Sequence, residues 1–253
     1  MSSQADRPGQ RELSESAQSY LLALRSLTGE GASTTISALG RRMTVSKQAA
    51  SEMVGRLANE QLVIVSGGRE LRLTDDGRHA ADTIFRRHSL LEWLLIKVVG
   101  LGWAESDEEA ARLQGHLSPR VEERIAELVG NPPTCPHGNP ISAPAARQRP
   151  KGIPLAEATE GSKITIYRIT EEAEEDAELL VYLEEHGLVP GTAATVTEVS
   201  GARESITLDS ALGASTMGLR PASLIRVLPG RADPGLFHNV PAAIEGLRRS
   251  KSG

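Results

Sequence analysis

The chain opens with apolar residues at helical spacing. Tyr20, Leu21, Leu24 and Leu27 share one stripe of a helix that begins near Ser14. Gly29-Glu30-Gly31 ends it. A short helix fits Thr34–Arg41, with Ile36 and Leu39 inward, and Arg42-Met43-Thr44 makes a turn. The next helix fits Ser46–Glu60: Ser46 is a natural N-cap, and Ala50, Met53, Val54 and Leu57 form its buried face. The period then changes. Leu62–Val65 and Glu70–Leu73 are rich in β-formers and flank Ser66-Gly67-Gly68-Arg69, which reads as a hairpin. Helix, turn, helix, hairpin is the layout of a winged helix-turn-helix.

Thr74-Asp75-Asp76-Gly77 offers caps for a long helix to about Val99, with Ala80, Ile84, Leu91, Leu94 and Leu95 among its apolar positions. Gly100-Leu101-Gly102 closes it. Helices over Ser106–His116 and from Ser118-Pro119 to Val129 follow, the second with proline at its first position. Seven prolines between Asn131 and Ala156 (132, 133, 136, 140, 144, 150 and 154) predict an irregular inter-domain connection. Beyond it, Lys163–Ile169, Thr192–Val199, Ser205–Asp209 and Ala222–Val227 read as strands. One helix lies among them, over Asp176–His186, with Leu179, Leu180 and Leu183 inward. Short strands with one small helix suggest a compact β-barrel. The expected class is therefore α+β. Its segments are a winged helix-turn-helix domain over 1–80 (1–12 disordered), a helical domain over 81–141, a linker over 142–156, a barrel over 157–229 and a tail over 230–253. A short helix over Val240–Arg248 fits that tail, to which no function is assigned.

Composition narrows this only slightly. Charged residues make up 24% and aromatics 3%, so the cores are aliphatic. No apolar run is long enough to span a bilayer, and the first ten residues lack the apolar middle of a signal peptide, which together predict a cytoplasmic protein without a membrane partner. One cysteine excludes an internal disulfide. The net charge of -5 does not advertise nucleic-acid binding, and residues 11–75 carry eight Lys/Arg against seven Asp/Glu. A DNA-binding domain here must gather its cations on one face.

The second helix of a winged pair presents its N-terminal residues to the major groove. Here these are Ser46, Lys47, Gln48, Ala49 and Glu52. Ser46 and Lys47 suit phosphates, which position without reading sequence. Gln48 suits a base edge, since its amide pairs both ways with adenine. Arg41 and Arg42 add charge beside the helix, and Arg69 at the hairpin tip can reach the backbone or the minor groove. The pattern alone leaves open a packing module or a winged helix used for protein contacts.

Metal-ligand chemistry is concentrated in two places. His88 and Glu92 are four apart and share a helix face. The only cysteine lies in Cys135-Pro136-His137-Gly138-Asn139-Pro140-Ile141, where Cys135 and His137 alternate on a proline-fixed loop. An imidazole, a carboxylate and a thiolate suit a divalent transition cation. Taken singly, the pair reads as an ordinary surface hydrogen bond and the thiol as a small buried hydrophobe. The four converge only if the loop folds back on the helix. His79, His116, His186 and His238 sit in no ligand spacing and read as structural. No H-E-x-x-H and no nucleophile elbow is present, so no hydrolase is expected.

These elements together resemble the diphtheria-toxin-repressor family of metal-dependent transcriptional regulators. The resemblance over Tyr20–Ile141 is carried by Tyr20-Leu21, Val45-Ser46, Met53-Val54 with Leu57, Leu62-Val63, Leu73-Thr74 with Gly77, Arg87-His88 with Glu92, Ser118 with Val121-Glu122 and Arg124, and the Cys135–Ile141 loop. Residues 161–228 resemble the FeoA/SH3-like domain of many members, through Glu185–Gly191 and Ala222–Val227. The resemblance implies a homodimer on a palindromic operator in double-stranded DNA, with the helical domain supplying dimer contacts and ligands. It implies a repressor, not an enzyme, that answers to Fe, Mn, Co or Zn. It also implies two metal sites per chain. At the effector-sensing site this sequence places Ser19 and Leu22 on the first helix and Ala111, Gln114 and Gly115 later, so that site is expected to be lost. The ancillary site maps to His88, Glu92 and Asp107, with Cys135 and His137 from the loop and Glu171 and Glu174, or Asp176, from the appended domain. The alternative is a metal-independent regulator of the same fold that responds to another signal.

Overall fold

The computed structural model describes residues 13–67 and 69–241. The disordered segment expected over 1–12, Gly68 of the hairpin turn and most of the helix expected over Val240–Arg248 lie outside them. The chain divides between Phe85 and Arg86 into two compact units.

In the first unit, α1 (Glu15–Gly29) starts at Ser14, whose hydroxyl accepts from the Ala17 N–H. α2 (Ile36–Arg42) and α3 (Lys47–Asn59) are capped by Thr35 and Ser46 in the same way. β1 (Val63–Val65) and β2 (Leu71–Leu73) pair antiparallel, Val63 opposite Leu73. Tyr20, Leu21, Leu24, Leu39, Ala50, Val54, Leu57, Val63, Leu71 and Leu73 form the core. Each fully buried leucine among them contributes about 1.5–3 kcal/mol. Met53, expected inward, is only partly covered. Arg25 turns inward as well, bonding Asp82 at 2.9 Å and lying over the Phe85 ring. α4 (Asp75–Leu94) begins where the Thr74 hydroxyl accepts from the Gly77 N–H at 2.9 Å and donates to the Gln61 carbonyl at 2.7 Å.

The second unit starts with the later half of α4, which continues as a π-helical turn over Leu95–Val99 and ends at Gly100, φ +97°. α5 (Trp103–Leu113) and α6 (Pro119–Leu128) pack on it through Leu90, Leu91, Trp93, Leu95, Ala110, Ile125 and Val129. α5 begins three residues before the expected Ser106. Its first N–H, on Trp103, donates to Glu184 Oε2 at 2.9 Å, so a carboxylate 81 residues away supplies the cap that Gly102 lacks.

The proline-rich stretch is more regular than expected. It holds α7 (Ala143–Arg147), with Pro144 in the first turn, and β3 (Ile153–Pro154), paired antiparallel to the last strand. Proline is tolerated at both places, because neither needs its N–H. The sheet continues with β4 (Lys163–Ile169), β5 (Ala193–Ser200), β6 (Ser205–Ser210), β7 (Gly213–Gly218) and β8 (Ile225–Pro229), in the order β3-β8-β4-β5-β6-β7. α8 (Glu171–Glu174), α9 (Ala177–Glu185) and α10 (Leu219–Ser223) intervene. The strand expected from Ala222 thus starts at Ile225, and Ala222 closes a helical turn. β7 was not foreseen. Its Gly-Ala-Ser-Thr-Met-Gly run has little strand propensity and is held extended by full pairing with β6.

The sheet's core, including Leu180, Leu183, Val196 and Ile225, also takes in Ile96 and Trp103. The β-rich domain is therefore seated on the end of α4 and the start of α5. After β8 the chain forms a strap: Arg149 bonds the Leu236 carbonyl, His238 Nε2 lies 2.8 Å from the Val129 carbonyl with its ring edge-on to Trp93, and Val240 joins the helical core. Truncation after Pro229 is expected to cost about 3–4 kcal/mol, from one buried valine and two part-buried hydrogen bonds. Chemical unfolding of the truncated chain measures it, and an unchanged midpoint would show the strap to be idle.

Candidate functional site

α3 exposes Ser46, Lys47, Gln48, Ala49 and Glu52 on the side opposite Ala50, Val54 and Leu57. Ser46 Oγ accepts from Ala49 N, and Gln48 Nε2 donates to Glu52 Oε1 at 3.2 Å. Arg41 is exposed and Arg42 half-buried at the end of α2. Arg69 is exposed in the hairpin turn, in the left-handed region at φ +69°.

The other constellation lies inside the second unit. His88 and Glu92 occupy successive turns of α4, His88 Nε2 3.8 Å from Glu92 Oε2. Asp107 of α5 brings Oδ1 to 3.1 Å from the same His88 nitrogen. The Cys135–Ile141 loop folds back on α4 and is buried along Thr134–Asn139. Contacts with α4 and with β4 hold it there. Trp93 Nε1 donates to the Thr134 carbonyl at 2.7 Å. Gly138 sits at φ +93°, where a Cβ would fall 2.7 Å from the Tyr167 carbonyl. Only glycine fits that close approach without strain.

His137 Nδ1 thereby lies 3.0 Å from Glu92 Oε1 and 3.4 Å from Glu174 Oε1. Neither approach is aligned as a hydrogen bond. Both ring nitrogens of His137 and both carboxylate oxygens of Glu92 are buried without a hydrogen-bond partner. Each residue has 0% side-chain exposure. The Cys135 thiol lies 3.5 Å from Glu174 Oε1, and the Asn139 N–H donates to its sulfur at 3.3 Å. Trp103 walls the site, edge-on to the His137 ring at 4.4 Å.

The electrostatics follow from crowding carboxylates into a dry place. Burial alone would lower the His88 pKa, but Glu92 and Asp107 raise it to about 9. His137 is likewise held near 9, burial being outweighed by Glu92 and Glu174. Burial pushes the Glu174 carboxyl up to about 8 despite the attraction of His137. Burial, with Glu174 and Glu92 beside it, pushes the Cys135 thiol well up. Without a cation, protons neutralise the cluster. A divalent ion would take their place, because imidazole, thiolate and carboxylate ligands bind in deprotonated form.

Of the residues proposed from sequence as ligands, His88, Glu92 and Asp107 form one group with ligand atoms mutually within 4.8 Å, and Glu92, Cys135 and His137 form another. Glu174 adjoins the second group. Glu171, at the start of α8, is only half-buried. Asp176 belongs elsewhere: its Oδ1 caps α9 by accepting from Leu179 N. His186 bonds the Tyr182 carbonyl and stacks on its ring, a structural role shared in kind by His238. Asn139 had no role in the sequence reading. Its Nδ2 donates to Glu174 Oε1 and to the Ile169 carbonyl, both at 2.6 Å, while its Oδ1 accepts from Arg168. It therefore orients the carboxylate. The only sequence signal for this was its place two residues after His137.

Comparison with known proteins bears on both constellations. Residues 12–71 match the iron dependent repressor N-terminal DNA binding domain, 74–143 the iron dependent repressor metal binding and dimerisation domain, and 153–229 the FeoA domain. The iron-dependent repressor IdeR of Mycobacterium tuberculosis H37Rv is 32% identical over 208 residues, covering 78% of this chain and 90% of that protein. The diphtheria toxin repressor of Corynebacterium glutamicum is 28% identical over 202 residues, covering 76% and 87%. Among solved structures, a manganese-dependent transcriptional repressor in complex with manganese superposes with a TM-score of 0.71 at 31% identity, covering 84% of this chain and 99% of that one. ScaR with bound Zn2+ gives 0.69 at 28% identity, covering 84% and 98%.

Proposed function

The chain belongs to the iron-dependent repressor family, a family of DNA-binding, metal-dependent transcriptional repressors rather than enzymes, and on that premise we propose a homodimeric repressor whose metal response runs through the ancillary centre. In this reading the metal ligands come from His88, Glu92 and Asp107 on one side and Glu92, Cys135 and His137 on the other, with Glu174 beside them and Glu171 at the edge. The observation that carries it is the pair Glu92 and His137, fully buried with every side-chain polar atom unpartnered. Such groups cost several kcal/mol unless something satisfies them. Metal at this centre would engage the Glu92 carboxylate and one ring nitrogen of His137.

The effector-sensing positions carry Ser19, Leu22, Ala111, Gln114 and Gly115. Alanine, leucine and glycine have no side-chain ligand atom, and the Ser19 hydroxyl bonds the Glu15 carbonyl, which leaves the Gln114 amide oxygen, buried without a hydrogen-bond partner, as the one unengaged donor of the five. The usual trigger is therefore lost in this reading. Metal at the ancillary centre instead ties α4 to α5 or to the loop and α8, and so the β-rich domain to the helices. Differential affinity for that tied state is what would couple ion to DNA. Fe, Mn, Co and Zn all suit the donor set. No described helix is long and apolar enough to cross a membrane.

On DNA, α3 would enter the major groove of each half of a palindromic operator, with Gln48 on a base edge, Ser46 and Lys47 on phosphates, Ala49 and Glu52 facing the groove, and Arg41, Arg42 and Arg69 along the backbone. Gln48→Ala is expected to cost about 1–3 kcal/mol on the cognate site and to relax its sequence preference. Lys47→Ala should weaken all sequences alike and reduce the salt slope by about 1. Fluorescence anisotropy against the protein's own promoter fragment, with chelator and then with each metal, tests the whole reading. Salt-dependent, sequence-selective binding that strengthens with metal supports it. Equal affinity with and without metal leaves a metal-independent regulator answering another signal, the reading that the missing sensing ligands favour. No binding under any condition removes the DNA function.

A further inference from the structure

The two ligand groups of the buried centre meet only in Glu92, and they meet there through different oxygens. Oε2 faces His88, which contacts Asp107. Oε1 faces His137, which contacts Glu174, itself beside Cys135. We propose that the centre takes two divalent cations per chain, with the Glu92 carboxylate as the bridge between them. The proposal rests on the metal-binding reading above and adds to it the number of ions and their connection.

Reach is the first argument. Ligands of one transition cation lie about 2.0–2.3 Å from it, so two ligand atoms on opposite sides of the ion are at most about 4.6 Å apart. Within each trio the ligand atoms lie within 4.8 Å of one another, but the five side chains do not join into one such group. A single ion held by His88 and Asp107 is out of reach of part of the Cys135–His137 set. A bridging carboxylate resolves this, since each of its oxygens serves one ion.

Charge is the second. With Cys135 as thiolate, the centre offers four anionic ligands: Glu92, Asp107, Glu174 and Cys135. Two dications neutralise four negative charges. One dication leaves two uncompensated in a region where Glu92 and His137 have no exposure, and buried net charge is costly. The side chains also differ in kind. Imidazole with two carboxylates suits Mn or Fe, whereas the thiolate side suits Zn or Co. Unequal ions are therefore accommodated as readily as a like pair.

The test uses the full-length protein, stripped with chelator, reloaded with Mn(II) or Co(II) and freed of excess metal by gel filtration. Elemental analysis should find two ions per chain in the unaltered protein and one in either Asp107→Ala or Cys135→Ala. In Asp107→Ala the retained Co(II) should keep its sulfur-to-metal charge-transfer band, and in Cys135→Ala it should lose it. Paramagnetic resonance of the Mn(II) form should show a spin-coupled pair that becomes an isolated ion in each single variant. These variants leave Glu92 in place, so the bridge is tested without removing its buried charge. One ion in the unaltered protein overturns the proposal and leaves the single-ion reading intact. Two ions without coupling, or two ions persisting in Asp107→Ala, also overturn it, since the second would then lie elsewhere. No retained metal at all overturns the metal-binding reading itself.

Discussion

In the presence of chelator, raising the pH from 6 to 9 is expected to lower the unfolding temperature of the second unit by about 10 °C. A saturating divalent cation should remove most of that dependence. His88 and His137 are held near 9 in the folded chain, above the ordinary 6.5 of an exposed imidazole. Their protonation therefore contributes stability that is fully present below 6.5 and is lost as pH rises to about 9. Glu174 acts with the same sign. Its folded value near 8 stands above the usual 4.5, so its share is complete below 4.5 and gone by about 8. The cause is one crowd of buried acidic groups that must shed its compensating protons together. A cation displaces those protons and supplies the missing charge, which is why the metal form should be nearly flat over the same window. Scanning calorimetry at pH 6, 7.5 and 9 reads both curves. An apo profile that rose with pH would contradict the charge assignment. Calorimetric titration in buffers of differing ionisation enthalpy should also find protons released on metal binding.

Gly77→Ala is expected to destabilise the first unit by about 3 kcal/mol and to abolish specific DNA binding. A Cβ at Gly77 would fall 1.9 Å from the Leu62 carbonyl oxygen and 2.8 Å from its carbon. Both are backbone atoms, so no side-chain rotation relieves the clash. The same carbonyl accepts from the Thr74 N–H at 3.0 Å. Relief must therefore separate the hairpin from the start of α4 and disturb the Thr74 cap. Overpacking of this kind costs about 1–3 kcal/mol, occasionally more, and the rigid partner places this case at the upper end. Gly55→Ala serves as the control: its Cβ would meet nothing within 4 Å. In α3 alanine favours the helix by a few tenths to 1 kcal/mol. Urea unfolding of both variants settles the comparison, and a Gly77→Ala loss below about 0.5 kcal/mol would falsify the packing argument.

Much of the first unit is legible in the chain because its signals are local. Ser14, Thr35 and Ser46 cap the helices they precede, and the apolar stripe of α3 needs only a period of 3.6. The second unit is less legible where a partner distant in sequence decides the outcome. Glu184 moves the start of α5 back to Trp103. Pairing with β6 makes a strand of the weak Gly213–Gly218 run. Proline misled over 142–156, since a helix's first turn and an edge strand both accept it. The metal candidates behaved likewise. His88 and Glu92 are a helix-face pair that spacing exposes, and the Cys135–His137 alternation is equally local.

What the sequence determined by itself was the order of elements and the inventory of ligating side chains, because caps, periodicity and residue type are properties of a short window. Only the tertiary structure decided that the inventory converges. The Trp93 bond to Thr134 holds the loop on α4, Gly138's close approach to the Tyr167 carbonyl seats it on β4, and Asn139 turns Glu174 toward the thiol. Those contacts join residues tens of positions apart, and it is the burial they bring about that leaves Glu92 and His137 without partners.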